Sequence, residues 1–239
     1  MVAYLTGAYQ LISRYFEYIL AGAGVTLALT VASVSIGCLI GTAVALGRLS
    51  RYRLLKWTTS AYVQFFRGTP LLVQLLFVYL GLPSLLGTSI ERWPAAIIAL
   101  SLNSGAYIAE IVRAGILSVE RGQREAGLAL GLKPSMVVRL IVLPQAFRRI
   151  VPPLGNEFVA MLKDSSLVSV ISLEELLRRS QIVVTRTFRP IEIYTLTAIL
   201  YLIMTSAISA LVARVERRLA LDGPSARESR PAGVKGIGG

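Results

Sequence analysis

Long apolar runs separated by short basic segments dominate this chain. The first run, Gly22–Gly47, contains no charged residue. A helix needs about 20 apolar residues to cross a bilayer, so this run is long enough even when tilted. Four further stretches read as spans: Tyr62–Leu86, Trp93–Leu117, Ile150–Ser172 and Ile191–Ala213. The second is interrupted at Pro70, which removes a helix hydrogen bond and should kink or break the helix there. The expected fold is an all-α membrane protein with about five transmembrane helices, occupying residues 22–221. Ahead of it, residues 1–21 form an N-terminal segment. Within that segment Tyr4–Leu20 is amphipathic and aromatic-rich, and is expected to lie in the membrane interface. Residues 222–239 are rich in Gly, Ser, Pro and charge, and read as a disordered tail.

Composition agrees with a membrane location: 54% of the 239 residues are hydrophobic, and mean hydropathy is +0.65. The net charge of +12 raises the question of nucleic acid. The basic residues, however, sit between apolar runs, as they do where they flank spans on the cytoplasmic side. No nucleic-acid partner is expected. With five spans, seventeen of the 25 Lys and Arg residues fall on one side, among them Arg48, Arg51, Arg53, Lys56, Arg121, Arg124, Arg148 and Arg149. Six fall on the other, so the N-terminus is expected outside and the C-terminus in the cytoplasm. Arg178, Arg179, Arg186 and Arg189 fit this poorly, and their segment is expected to be an exterior surface helix and loop.

The residue inventory excludes several chemistries. Histidine is absent, and the single cysteine, Cys38, lies inside the first apolar run. Histidine metal sites, histidine bases and Ser or Cys triads are therefore ruled out, and no disulfide can form within the chain. No G-x-x-x-x-G-K-[ST] occurs, so no nucleotide hydrolysis is expected of this chain. No cofactor, metal or catalytic residue is assigned.

Polar residues inside spans are the candidate functional groups, because a charge at mid-bilayer costs about 2.5–3.5 kcal/mol on insertion scales. The fourth span carries Asn156, Glu157, Lys163, Asp164, Ser165 and Ser166. Glu157 and Asp164 are seven apart, on one helix face and roughly 10 Å apart along the axis. Two carboxylates on one face near mid-membrane suit a cationic ligand. A structural ion network, with Lys163 pairing to a carboxylate, is the alternative. In the third span Asn103, Tyr107 and Glu110 follow helical spacing; they either line a path or hydrogen-bond neighbouring helices. Glu110 and Arg113 have the spacing of a simple pair. In the second span Gln74 follows the break at Pro70. The substrate-binding candidates are Glu157, Asp164, Asn156, Asn103 and Gln74. Gly37, Gly41 and Ala45 have the small-xxx-small spacing of close helix packing.

The stretch Glu120–Arg149 reads ERGQREAGLALGLKPSMVVRLIVLPQAFRR. It predicts a short helix over Gln123–Leu130 and a sharp turn at Gly131. A second helix should start near Lys133-Pro134 and end at Leu143, before Pro144. Such a helix pair is either a peg for a partner protein or an ordinary connection between spans.

This stretch resembles the EAA loop of the permease subunits of bacterial ABC importers. The shared pattern is E-A-A, three residues, G, nine residues, I-x-L-P. It is met at Glu125, Ala126, Gly131, Ile141, Leu143 and Pro144, with Gly127 where alanine is usual. FFRGTPLLVQLLFVYLGLP (Phe65–Pro83), LSLNSGAYIAEIVRAGILSVERGQREAG (Leu100–Gly127), LPQAFRRIVPPLGNEFVAMLKDSSLVSVIS (Leu143–Ser172) and LAGAGVTLALTVASVSIG (Leu20–Gly37) are similar to the polar amino acid branch, of the histidine, glutamine and arginine type. The resemblance implies a cytoplasmic coupling helix at Gly122–Gly131 that docks in a cleft of a separate ATPase subunit through Glu125, Ala126, Gly127 and Gly131. It implies that ATP is used by that ATPase and not by this chain. It implies pairing with an identical or related permease, delivery by an extracytoplasmic solute-binding protein, and a place in the bacterial inner membrane. The alternatives are an ion-coupled secondary amino acid transporter, in which the two carboxylates would be ion sites, a channel, or an intramembrane enzyme. The loop is unexplained by the first, and no catalytic constellation supports the last.

Overall fold

The computed structural model describes residues 2–221, with side chains for residues 7–219. Every regular element in that range is helical. Helix α1 runs unbroken over Val2–Arg48. At 1.5 Å per residue it is about 70 Å long, more than twice the bilayer core of about 30 Å. The aromatic segment Tyr4–Leu20 is therefore continuous with the first apolar run, and no break separates the two. No proline interrupts it, and Leu11, Tyr15, Tyr18 and Ile19 pack against residues from the C-terminal third of the chain.

Next come α2 (Arg53–Gly68), α3 (Leu71–Leu76), a π-helical turn at Phe77–Gly81 and α4 (Leu82–Leu86). The two halves of this expected span meet at an angle of 106°. Thr69 is extended (φ −121°, ψ 148°), as a residue before proline prefers to be. Then follow α5 (Arg92–Leu117), α6 (Arg121–Ala129) and α7 (Pro134–Val137). A second π-helical turn, Val138–Val142, leads directly into α8 (Leu143–Asp164). A 3-10 helix at Ser165–Ile171, α9 (Leu176–Thr187) and α10 (Pro190–Leu221) complete the chain. The helix expected around Arg178–Arg189 corresponds to α9. The disordered tail expected at 222–239 lies outside the described residues.

Two expectations need correction. Three helices, α1, α5 and α10, are long and apolar enough to cross a membrane, and a fourth if the bent α2–α4 pair counts as one. Five are not established, because α8 carries Asn156, Glu157, Lys163 and Asp164 and has Pro152 and Pro153 inside it. The fold is an all-α multi-pass membrane protein. In addition, the helix beginning at Pro134 does not stop before Pro144. The π turn shifts the hydrogen-bond register, so that the Leu143 amide donates to Val138 O. Pro144 then falls in the first turn of α8, where its missing N–H has no intrahelical role.

The core is organised by α1 and α5. A Cβ on Gly41 would lie 2.8 Å from both Gly105 O and Ile108 Cβ, and one on Gly37 would lie 3.1 Å from Ser104 Cβ. The Gly37, Gly41, Ala45 stripe thus brings two backbones into contact, as its spacing predicts. Leu29, Val34 and Ala45 of α1 bury against Ala95, Ala99, Leu100 and Ile108 of α5. Gly22 lets α9 approach α1, with Leu176 Cα at 2.8 Å from a built Cβ, whereas Gly24, two residues on, faces open space.

Gly41→Ala is expected to destabilise the protein by about 1–3 kcal/mol, since the backbone it meets cannot move aside. Gly24→Ala should be neutral or stabilising by up to about 1 kcal/mol through helix propensity. Thermal melting of the two purified variants in detergent checks both; equal melting temperatures would show that α1 and α5 are not held by backbone contact.

Candidate functional site: a polar cluster and the helix after α5

The break at Pro70 frees carbonyls that lipid cannot satisfy. Gln74 satisfies them. Its Nε2 donates to Phe66 O at 2.9 Å, Thr69 O at 3.0 Å and Thr69 Oγ1 at 2.9 Å. Its Oε1 accepts from Asn103 Nδ2 at 2.9 Å. Gln74 and Asn103 are both buried. These two sequence-predicted site residues therefore meet each other and brace the broken span against α5.

The acidic candidates occupy a different place. Ser104, the residue after Asn103, donates its hydroxyl to Glu157 Oε1 at 2.9 Å, joining α5 to α8. Glu157 is half-buried, while Asn156, Lys163 and Asp164 are exposed on the protomer. Asp164 ends α8 where the backbone changes from α to 3-10 geometry, a change often found at functional hinges. Gly155 packs so closely on Val212 of α10 that any side chain there would collide with it. The five candidates thus divide into a buried, mutually bonded amide pair and a polar stripe on α8 that keeps hydrogen-bonding capacity. Ser104 belongs with that stripe by geometry.

Nearer the basic end of α5, Glu110 forms ion pairs with Arg48 of α1 and Arg113 of its own helix. The i,i+3 pairing expected for Arg113 is present and is joined by a third partner. Arg67 stacks over the Tyr107 ring at 5.3 Å.

The loop after α5 builds the helix, sharp turn and second helix that its sequence predicts. Helix α6 ends in a Schellman motif: the Gly131 amide donates to Leu128 O at 2.9 Å and the Leu132 amide to Gly127 O at 3.2 Å. Gly131 adopts φ +79°, a conformation that favours glycine. Lys133 precedes Pro134 at the start of α7, as expected. Gly127 is buried, and a Cβ there would lie 2.6 Å from Ile141 Cδ1 and 3.1 Å from Val137 Cγ2. The glycine thus has a packing reason: α6 sits directly on the helix that follows. Glu125 and Ala126 are exposed, together with Leu128 and Leu130, the last at 83%. An exposed face on a helix whose other side is fixed by packing is suited to receive another protein.

Sequence reasoning missed Glu175. Its side chain is fully buried and caps α9, accepting from the Leu177 amide at 2.9 Å and the Arg178 amide at 2.7 Å. It also accepts from Tyr201 OH at 2.9 Å and Thr26 Oγ1 at 3.3 Å. One carboxylate therefore ties α1, α9 and α10 together. An acidic residue just before an apolar helical run is the N-cap signal that marks it.

The family model for the binding-protein-dependent transport system inner membrane component matches residues 33–221. The chain belongs to that family. It is an ABC importer permease subunit of the polar amino acid branch. It is 39% identical over 202 residues to the arginine transport system permease protein ArtQ of Bacillus subtilis, covering 84% of this chain and 92% of that one. It is 39% identical to the glutamine transport system permease protein GlnP of Escherichia coli K12, with the same coverage. Against the L-cystine transport system permease protein TcyB of Bacillus subtilis it is 41% identical over 214 residues, covering 88% and 91%. The crystal structure of an amino acid ABC transporter with histidines matches with a TM-score of 0.83 and 42% identity, over 87% of this chain and 96% of that one. As a permease the chain carries no catalytic role. Among its described residues no group of three or more His, Cys, Asp or Glu is placed to hold a metal ion.

Glu175→Ala leaves the two amide donors of α9 and the Tyr201 hydroxyl without their acceptor. The expected cost is about 1–3 kcal/mol. The check is a lower melting temperature together with faster protease cleavage around α9; an unchanged cleavage rate would show that α9 is held by apolar contacts alone.

Proposed function

We propose that this subunit pairs with an identical or closely related permease to form the membrane path of an ATP-driven importer of polar amino acids, and that Glu157 biases the path toward cationic ones. The observation that carries the reading is the polar stripe of α8. A half-buried carboxylate is hydrogen-bonded to α5, and Asn156, Lys163 and Asp164 stand uncovered beside it. In a membrane such groups turn toward a protein or water-filled interior and not toward lipid. A single protomer leaves them open, which supports a second copy facing them. The relatives named for arginine, glutamine and L-cystine support polar amino acids as cargo.

In this reading α8 and the 3-10 helix after it form a crossing of their own, between α5 and α10. Ile150–Asp164 contributes about 22 Å and the 3-10 segment about 14 Å, enough for a hydrocarbon core of about 30 Å. With the bent α2–α4 pair this gives five crossings. The distribution of Lys and Arg supports an external N-terminus and a cytoplasmic α6. Two ATPase subunits dock on the α6 helices through Glu125 and Ala126, with Gly127 and Gly131 shaping the peg. A solute-binding protein delivers cargo on the outer side. ATP closes the ATPase pair, the path opens outward, and hydrolysis returns it inward.

Uptake by the full complex in proteoliposomes tests both halves of the proposal. Glu125→Ala is expected to weaken retention of the ATPase subunit and lower uptake of every amino acid carried. Glu157→Gln is expected to lower arginine and lysine uptake about tenfold, the effect of losing about 1.4 kcal/mol, with glutamine uptake largely kept. Unchanged cationic uptake in Glu157→Gln would place specificity outside this stripe. Uptake that persists without ATP would favour an ion-coupled transporter.

A further inference from the structure

The last four carbonyls of an α-helix have no partner within the helix. At the end of α5 these groups are claimed from different elements. Gly115 O accepts from Ser118 Oγ at 2.7 Å. Ile116 O accepts from Arg124 Nη2 of α6 at 3.1 Å. Ser118 O accepts from Arg149 Nη1 of α8. Both guanidinium groups also suit the negative end of the α5 dipole. The joint is filled with apolar contacts: Val119 packs with Val137, Val142 and Ala146, and Ile116 and Ile150 pack against that cluster. Gly115 admits Ile150 of α8 at a distance no side chain would allow.

Helix α6 therefore has two working sides. Glu125, Ala126, Leu128 and Leu130 face outward, while Arg124 is half-buried and reaches back to α5. Arg124 bridges α6 to α5 and Arg149 bridges α8 to α5, and α5 and α8 meet again at Ser104 and Glu157. A push on α6 has a direct polar route into α5 and, through the Arg149 bond, onward to α8.

We infer that Arg124, with Arg149, is a positioning residue that transmits movement of the docked α6 into the α5–α8 pair. The inference rests on the docking reading above and extends it to residues inside the loop. Loss of Arg124 leaves the outward face of α6 in place but lets the peg move without carrying α5. The ATPase then turns over with less transport.

The test uses the complete transporter in proteoliposomes, with ATP hydrolysis and labelled arginine, glutamine and cystine uptake measured on one preparation. Arg124→Met keeps the length and removes the donors; Arg124→Lys keeps a cationic donor. The expected result is an ATPase subunit still retained on Arg124→Met, with ATP consumed per amino acid imported raised about three- to thirtyfold. Arg124→Lys should recover most of that ratio, and Arg149→Met should raise it in the same direction. An unchanged ratio in Arg124→Met overturns the inference. So does a joint fall of hydrolysis and uptake accompanied by a lower melting temperature, since that is the behaviour of a merely structural residue. Failure of the wild-type chain to retain any ATPase subunit would instead overturn the docking reading itself, and this inference with it.

Discussion

Backbone contact between α1 and α5 is possible only because Gly37 and Gly41 meet Gly105, with each Cβ position already occupied by the opposing helix. In lipid there is no water to expel between two apolar helices, so association relies on close van der Waals contact and hydrogen bonding. The contact sets where α5 lies, and α5 carries most of what matters. Asn103 braces the broken span, Ser104 holds Glu157, Glu110 gathers Arg48 and Arg113, and the last turn receives Arg124 and Arg149. A side chain at Gly41 would displace all of these at once.

The second constraint is the satisfaction of backbone groups wherever a helix is interrupted. Each break has a different solution. At Pro70 a side-chain amide replaces the missing amides, and Gln74 commits its nitrogen to two carbonyls and a hydroxyl. At Pro144 the backbone solves the problem itself, by a π turn that places the proline at the start of the next helix. At the start of α9 the carboxylate of Glu175 accepts the free amides, and its remaining capacity binds two other helices. The breaks at Pro70 and at the start of α9 thus become polar joints of the fold.

Periodicity and length make α1, α5 and α10 legible in the sequence, because nothing else explains runs so long and so apolar. The α6–α7 turn is legible from a local pattern: Gly131 for the turn and Pro134 for the restart. Features that depend on two distant segments are not legible in this way. Asn103 reads as either path-lining or bonded to a neighbouring helix, and its hydrogen bond to Gln74, a partner 29 residues away, shows the second. The start of α8 runs through Pro144 against expectation, because a proline signals a helix end unless a π turn precedes it, and a π turn has no local sequence mark. Glu175 carries an N-cap signal, but its links to Thr26 and Tyr201 span 149 and 26 residues. Gly127 reads as a departure from a motif; in the fold it lies against the tips of the Ile141 and Val137 side chains.

The arginines of α9 illustrate how structure changes the weight of a charge count. Four cations near one another on the expected outer side oppose the positive-inside rule if each is a free surface charge. Arg179 is not free: its guanidinium stacks over the Tyr18 ring at 4.9 Å and donates to Tyr18 O at 3.0 Å and Glu174 O at 3.2 Å. Arg178 donates to Gln181, and Arg189 pairs with Glu192 at 3.6 Å. Arg179 clamps α9 to α1, Arg178 bonds within α9, and Arg189 holds the turn into α10. Arg48 and Arg113 on the opposite side are likewise committed to Glu110, so commitment alone does not decide orientation. The difference lies in location. The committed arginines of α9 belong to a helix whose buried face is fixed by Glu175 and Leu176, and the chain requires them there whichever way it is inserted. Arg51, Arg53, Lys56, Arg121 and Lys133, at the start of α2 and around α6, carry no such structural duty toward another helix.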